Sequence, residues 1–241
     1  MSLGNGRRQW TAALMLAGLV CGAAPLAAQD TSVKPGINDS FETPDVPQYV
    51  ERFEKEGREV YDLRKEIIDA CELRPGLRVA DVGAGTGLFT RLLSERVGDE
   101  GKVFAVDISD EFVDHIRDFV EKEGLKNIEA VLCEPDAVNL EPESVDVVFI
   151  CDTYHHFEFP YKTMSTIHRA LKPGGIVVLV EFARIEGKSS EWIMGHVRAG
   201  QEVFEQEIAE VGFRKVGELE GIFKESYLVR FEKIDPSAEK E

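Results

Sequence analysis

Asp81, Gly83, Gly85 and Gly87 stand at alternate positions, and a further acid, Asp107, follows about twenty residues beyond the glycine loop. Glycines so spaced after an apolar run form a turn that aims backbone N–H groups and a helix N-terminus at a ligand. The ligand can come close because no Cβ stands in its way. An acid closing the next strand can accept both ribose hydroxyls of a nucleoside. The spacing disfavours two related designs. A dinucleotide fingerprint needs glycine where Leu88 stands, and a P-loop needs a Gly-Lys-Ser/Thr that does not follow.

A second constellation gathers at residues 151–157, where Cys151, Asp152, Thr153, Tyr154, His155 and His156 bring a thiol, an acid, a hydroxyl, a phenol and two imidazoles together. A histidine near neutrality can take a proton from a nucleophile, so Asp152, His155 and His156 are the candidate catalytic residues. For the two histidines a purely structural part, shaping a helix start, is the alternative. Tyr154, Trp192, His196 and Arg198 are candidates for a substrate-side wall, with Arg198 able to hold a carboxylate or phosphate as a fork. No metal site is expected. The histidines show no H-E-x-x-H spacing, and adjacent His155 and His156 diverge in either a helix or a strand.

The elements that must position these residues alternate in type, which argues for a parallel sheet with helices on both faces. Strands are predicted over 77–82, 102–107, 128–133, 145–151, 176–182, 213–219 and 226–232. Helices are predicted over 87–97, 110–123, 161–171 and 201–211. In such a sheet ligands bind beyond the carboxyl ends of the strands, where both constellations fall. Residues 49–70 have helical periodicity that Gly57 can divide, and form an N-terminal helical cap. Residues 29–48, rich in Pro, Gly, Asp, Ser and Asn, read as a linker, either ordered by contact or disordered.

The net charge of −17 lacks the basic stripe of a nucleic-acid binder, and the partner expected is a small molecule. Residues 1–28 read as a signal peptide. Arg7 and Arg8 precede an apolar run, Trp10 to Val20, followed by Pro25 and a small-residue cleavage site at Leu26-Ala27-Ala28, giving a periplasmic or secreted protein. An uncleaved membrane anchor is the alternative, and would be the chain's only membrane contact. Residues 236–241 are a short tail. Cys71, Cys133 and Cys151 show no spacing of a disulfide framework or zinc knuckle.

The segments Asp81-Val82-Gly83-Ala84-Gly85-Thr86-Gly87, Val106-Asp107, Val145-Asp146-Val147-Val148 and Leu171-Lys172-Pro173-Gly174-Gly175 resemble the motifs of class I S-adenosylmethionine-dependent methyltransferases of the type 11 group. An exported bacterial subgroup of unassigned substrate carries similar Asp-Thr-Tyr-His-His-Phe and His-Val-Arg-Ala-Gly segments. The resemblance implies a Rossmann-like, doubly wound, mostly parallel seven-stranded sheet with an antiparallel last strand, over residues 49–235. It implies S-adenosylmethionine as cofactor, held by Asp81, Gly83, Ala84, Gly85, Gly87, Asp107, Ile108, Asp136, Ala137 and Cys151. Asp136 would receive the adenine amine, and Asp81 and Asp152 would flank the amino group or the substrate. The implied reaction is methyl transfer to a small-molecule acceptor. The rivals are a cofactor- or nucleoside-binding protein without transfer activity, an NAD-dependent oxidoreductase, and a scaffold without ligand.

Overall fold

Runs such as Val147-Val148-Phe149-Ile150 and Ile176-Val177-Val178-Leu179-Val180 are apolar on both faces of a strand, and so need cover from both sides. The computed structural model, which describes residues 29–234, provides it with a sheet between two helical layers. The leader expected over 1–28 and the tail over 236–241 lie outside the described residues.

A 3-10 turn at Asp39–Phe41 leads into α1 (Val46–Phe53), α2 (Glu59–Asp62) and α3 (Arg64–Ala70). The alternating core follows as β1 (Arg78–Val82), α4 (Leu88–Val97), β2 (Lys102–Asp107), α5 (Asp110–Glu123), β3 (Ile128–Leu132) and β4 (Val145–Cys151). A second 3-10 turn at Tyr154–His156 precedes α6 (Pro160–Ala170), β5 (Leu171–Phe182), α7 (Glu191–His196), α8 (Gln201–Glu210), β6 (Phe213–Leu219) and β7 (Ser226–Lys233).

The seven strands lie in the order β3-β2-β1-β4-β5-β7-β6, with β7 antiparallel to both its neighbours. This is a Rossmann-like sheet of the kind found in methyltransferases. Strand order reverses between β1 and β4, and a crevice opens there above the carboxyl ends. Successive residues of each strand serve opposite cores. Ala80, Val148 and Leu179 pack with Met164 and Ile167 of α6 and Phe204 of α8. Val79, Phe149 and Val178 pack with Ile67 of α3, Leu93 of α4 and Ile116 of α5. No helix among the described residues is long and apolar enough to cross a membrane.

The N-terminal region departs from the expectation. The cap is divided at Gly57, at φ +91°, as its glycine suggested, but into three short helices, with a second break at Leu63. The first of them starts at Val46, inside the supposed linker, because Asp45 caps it by accepting the Gln48 N–H. Residues 29–45 are ordered by contact. Val33 N–H donates to the Glu158 carbonyl at 2.9 Å, and the Asn38 amide donates to the His156 carbonyl at 3.0 Å. β5 begins earlier than expected because Leu171 already pairs with Val145, and residues 172–175 bulge out before pairing resumes at Ile176.

Candidate active site

The crevice is a cavity of about 440 Å³, within the ~300–1,000 Å³ usual for small-molecule sites. Its first half is built by β1, β2 and the glycine turn. Gly83 N–H and Ala84 N–H are tied to the Val106 carbonyl at 2.8 and 3.1 Å, which pins the turn to β2. Asp107 Oδ2 accepts the Gly85 N–H at 2.8 Å, and Oδ1 accepts the Ser109 N–H at 3.0 Å. Burial raises this carboxyl above its ordinary value against the pull of those N–H groups. Deeper in, Asp81 accepts the Thr90 hydroxyl at 2.6 Å, and burial pushes its carboxyl up to about 7. Phe53 of α1 covers Gly85.

The second half is built by the loop after β4, the end of β5 and α7. Asp152, at φ +48°, forms an ion pair with Arg58 at 2.7 Å through Oδ2, while its buried Oδ1 has no hydrogen-bond partner. Burial outweighs the Arg58 guanidinium and raises the Asp152 carboxyl to about 6. His155 Nδ1 lies 2.9 Å from both oxygens of Glu181, which is fully buried and also accepts the His155 N–H at 3.1 Å. Burial and the adjoining imidazoles of His155 and His196 depress His156 to about 2, and similar causes take His196 to about 4. Both rings are therefore neutral near pH 7. Burial lifts the Cys133 thiol to about 12 and the Cys151 thiol well above its usual range; Cys71, buried beneath the sheet, is also raised to about 12.

Asp81, Gly83, Ala84, Gly85, Asp107, Ile108, Ala137, Cys151, Asp152, His155, His156 and His196 line this one cavity. Four other expected site residues do not. Gly87 sits below the wall, where a Cβ would strike Phe119, so its φ of +77° and close helix packing account for it. Asp136 does not face the cavity. The tight turn from Glu134 to Ala137 carries it toward α6, where it pairs with Lys162 at 3.3 Å, and Glu134 lines the cavity instead. Tyr154 is fully buried between Phe157 and Phe204, because the 3-10 turn sends it into the core while presenting His155 and His156 to the cavity. Arg198 grips Glu207 with both guanidinium nitrogens, at 2.8 and 2.6 Å, and stands over the rings of Tyr154 and Phe204. Neither is a substrate-side wall.

Two further expectations change. His156, depressed to about 2 by burial and the adjoining imidazoles, is a weaker proton acceptor than the free imidazole expected there. Adjacent His155 and His156 do not diverge. The 3-10 turn brings their ring centroids to 4.2 Å, and His196 joins at 5.0 and 5.2 Å. Sequence reasoning also missed Arg58 and Glu181. An acid ending the apolar run 176–180 was a visible sign of a buried, partnered carboxylate, whereas nothing local marks Arg58.

The walls fit a cationic nucleoside cofactor. Three carboxylates, those of Asp81, Asp107 and Asp152, face one small cavity, and the unpartnered Asp152 Oδ1 calls for a donor.

Residues 80–179 match the model of the family described as "Methyltransferase domain" (Methyltransf_11). The chain is 30% identical over 123 residues to the ubiquinone/menaquinone biosynthesis C-methyltransferase UbiE of Hydrogenovibrio crunogenus, covering 51% of this chain and 48% of that one. It thus spans about half the length of the curated relatives it matches. Among solved structures, an S-adenosylmethionine-dependent methyltransferase from Aquifex aeolicus superposes with a TM-score of 0.69 at 26% identity, over 78% of this chain and 98% of that one. Phosphoethanolamine N-methyltransferase 2 of Haemonchus contortus, solved with phosphomonomethylethanolamine and S-adenosylhomocysteine, superposes at 0.61 with 26% identity, over 73% of this chain and 43% of that one. In fold, cleft and matched segment the chain is similar to class I methyltransferases, whose cofactor is S-adenosylmethionine.

Proposed function

We propose that this chain transfers the methyl group of S-adenosylmethionine to a small-molecule acceptor. The observation that carries the reading is Asp107, whose carboxylate is held by the Gly85 N–H at the cavity wall, where it can exchange that bond for ribose hydroxyls. The bound cofactor supplies a sulfonium-activated methyl group, so the protein's work is positioning and exclusion of water. Asp107 orients the nucleoside, while Asp81 and Asp152 offer negative charge to the cationic end. Arg58 fixes Asp152 and balances part of that charge. Phe41, Phe53, Phe112 and Phe182 wall the cavity with apolar surface.

A small acceptor suits a cavity of about 440 Å³ and a chain with net charge −17. Incubating the purified chain with methyl-labelled cofactor and a small-molecule extract of cell envelopes should yield a labelled low-mass product. Asp107→Ala should weaken cofactor binding about 10–100-fold in calorimetry, the loss of hydrogen bonds to a charged group. Wild-type affinity in that variant would remove Asp107 from the site, and with it the reading.

We also propose that residues 1–28 direct export, with membrane anchoring as the alternative. Replacing Arg7 and Arg8 by Lys should leave the protein in the cytosol if a folded-export route is used, as fractionation would show.

A further inference from the structure

His155, His156 and His196 reach the cavity from two elements forty residues apart in the chain, and one ring nitrogen of each lies within 4.8 Å of the others. Nitrogens bound to a tetrahedral zinc ion at ~2.0–2.1 Å lie about 3.4 Å apart, so the set must draw together to close on an ion. Two observations point to a ligand. His155 Nε2 and His156 Nδ1 are buried and have no hydrogen-bond partner, a costly arrangement unless something accepts their lone pairs. Glu181 takes His155 Nδ1, which fixes the tautomer and leaves Nε2 free; a carboxylate behind the ring is the usual second partner of a metal-bound histidine. Trp192 stacks on His196 with centroids 4.7 Å apart and holds that ring in place. Lys34 Nζ, on the carbonyls of His196 at 2.6 Å and Gly195 at 3.3 Å, is a cation the site must tolerate, and Glu181 supplies the compensating charge.

We propose that His155, His156 and His196 bind a divalent transition metal, zinc in the first instance, whose open coordination position faces the methyl-donor cleft and takes the acceptor's oxygen, nitrogen or sulfur. Three imidazoles with a fourth position left open are a donor set of catalytic rather than structural zinc. The metal site stands on the geometry alone; the role given to its open position rests on the methyl-transfer reading. An acceptor hydroxyl or thiol held there gives its proton to water more readily. Its lone pair then forms the bond to the methyl carbon, the carbon–sulfur bond breaks, and that electron pair stays on sulfur.

The test is a titration of the chelator-treated full chain with Co²⁺, followed by visible absorption and by quenching of Trp192 fluorescence, with S-adenosylmethionine binding measured alongside by calorimetry. One Co²⁺ per chain is expected, competed by Zn²⁺. His196→Ala should weaken it at least tenfold, and Glu181→Gln, which keeps the shape, about 10–100-fold. Cofactor affinity should hold in both variants. A chain that binds cofactor but takes up no Co²⁺, or variants that titrate like the wild type, would overturn the proposal. Uptake of Co²⁺ with no cofactor binding would keep the metal site and remove the methyl-transfer reading.

Discussion

The two halves of the crevice are made from different materials. The half at β1 and β2 consists of main-chain N–H groups and two short acids, all within a span of 27 residues from Asp81 to Asp107. The half at β4, β5 and α7 consists of long titratable side chains brought from Arg58, Asp152, His155, Glu181 and His196. Backbone geometry serves the part of a ligand that does not vary, a nucleoside. Side chains can change without disturbing the sheet, so on the proposed reading they suit the part that would set which acceptor is used.

The comparison can be broken from either side. The largest effect is expected beneath the second half, where Arg198 and Glu207 form an ion pair with only 7% and 9% of their side chains exposed. Arg198→Ala leaves a buried carboxylate without its partner and should cost about 3–5 kcal/mol in urea unfolding. The folded fraction should keep its cofactor affinity. An unchanged stability with a raised acceptor KM would instead return Arg198 to the substrate wall. Next comes Gly83→Ala in the first half. The added Cβ would collide with Thr153 and sit at φ +77°, so cofactor affinity should fall at least ~100-fold, about 2.7 kcal/mol. Calorimetry at wild-type affinity would show that the two loops are not locked together as described.

The smallest effect sharpens the first half. Asp81 holds its proton up to about pH 7 in the folded chain, against an ordinary 3.8. The unfolded chain releases that proton first, so the stability that Asp81 contributes to the ligand-free protein is fully present below about pH 4 and is lost as pH rises toward 7. Asp81→Asn removes this part of the slope and leaves the part that the raised Asp107 and Asp152 carboxyls contribute. After relaxation in the site it should stabilise the ligand-free protein by about 1–2 kcal/mol at pH 8 and change little at pH 4. Equal melting shifts at both pH values would mean that Asp81 is not the buried acid responsible.

The same division explains what could be read in the chain beforehand. Strand alternation, the glycine turn and Asp107 were legible because their signals are local: a period of two, a fixed spacing, and an acid one strand later. The family motifs covered the first half for the same reason. Asp136, Tyr154 and Arg198 were misplaced because each lies in a tight turn, a 3-10 turn or a loop, where composition does not fix the direction of a side chain. The Arg58–Asp152 pair joins residues 94 apart, and the Asn38–His156 bond joins residues 118 apart. Such contacts depend on how elements dock, which no spacing encodes. The convergence of His155 and His156 depended on the 3-10 turn, whose geometry departs from both the helix and the strand considered for it.

The placement of the cysteines bears on handling as much as on chemistry. Burial keeps Cys71 and Cys133 protonated to about pH 12 and lifts Cys151 well above its usual range, so these three described thiols offer little thiolate at neutral pH to an alkylating reagent or an oxidant. Labelling of these sulfurs by iodoacetamide would thus report opening of the fold, a built-in gauge of unfolding.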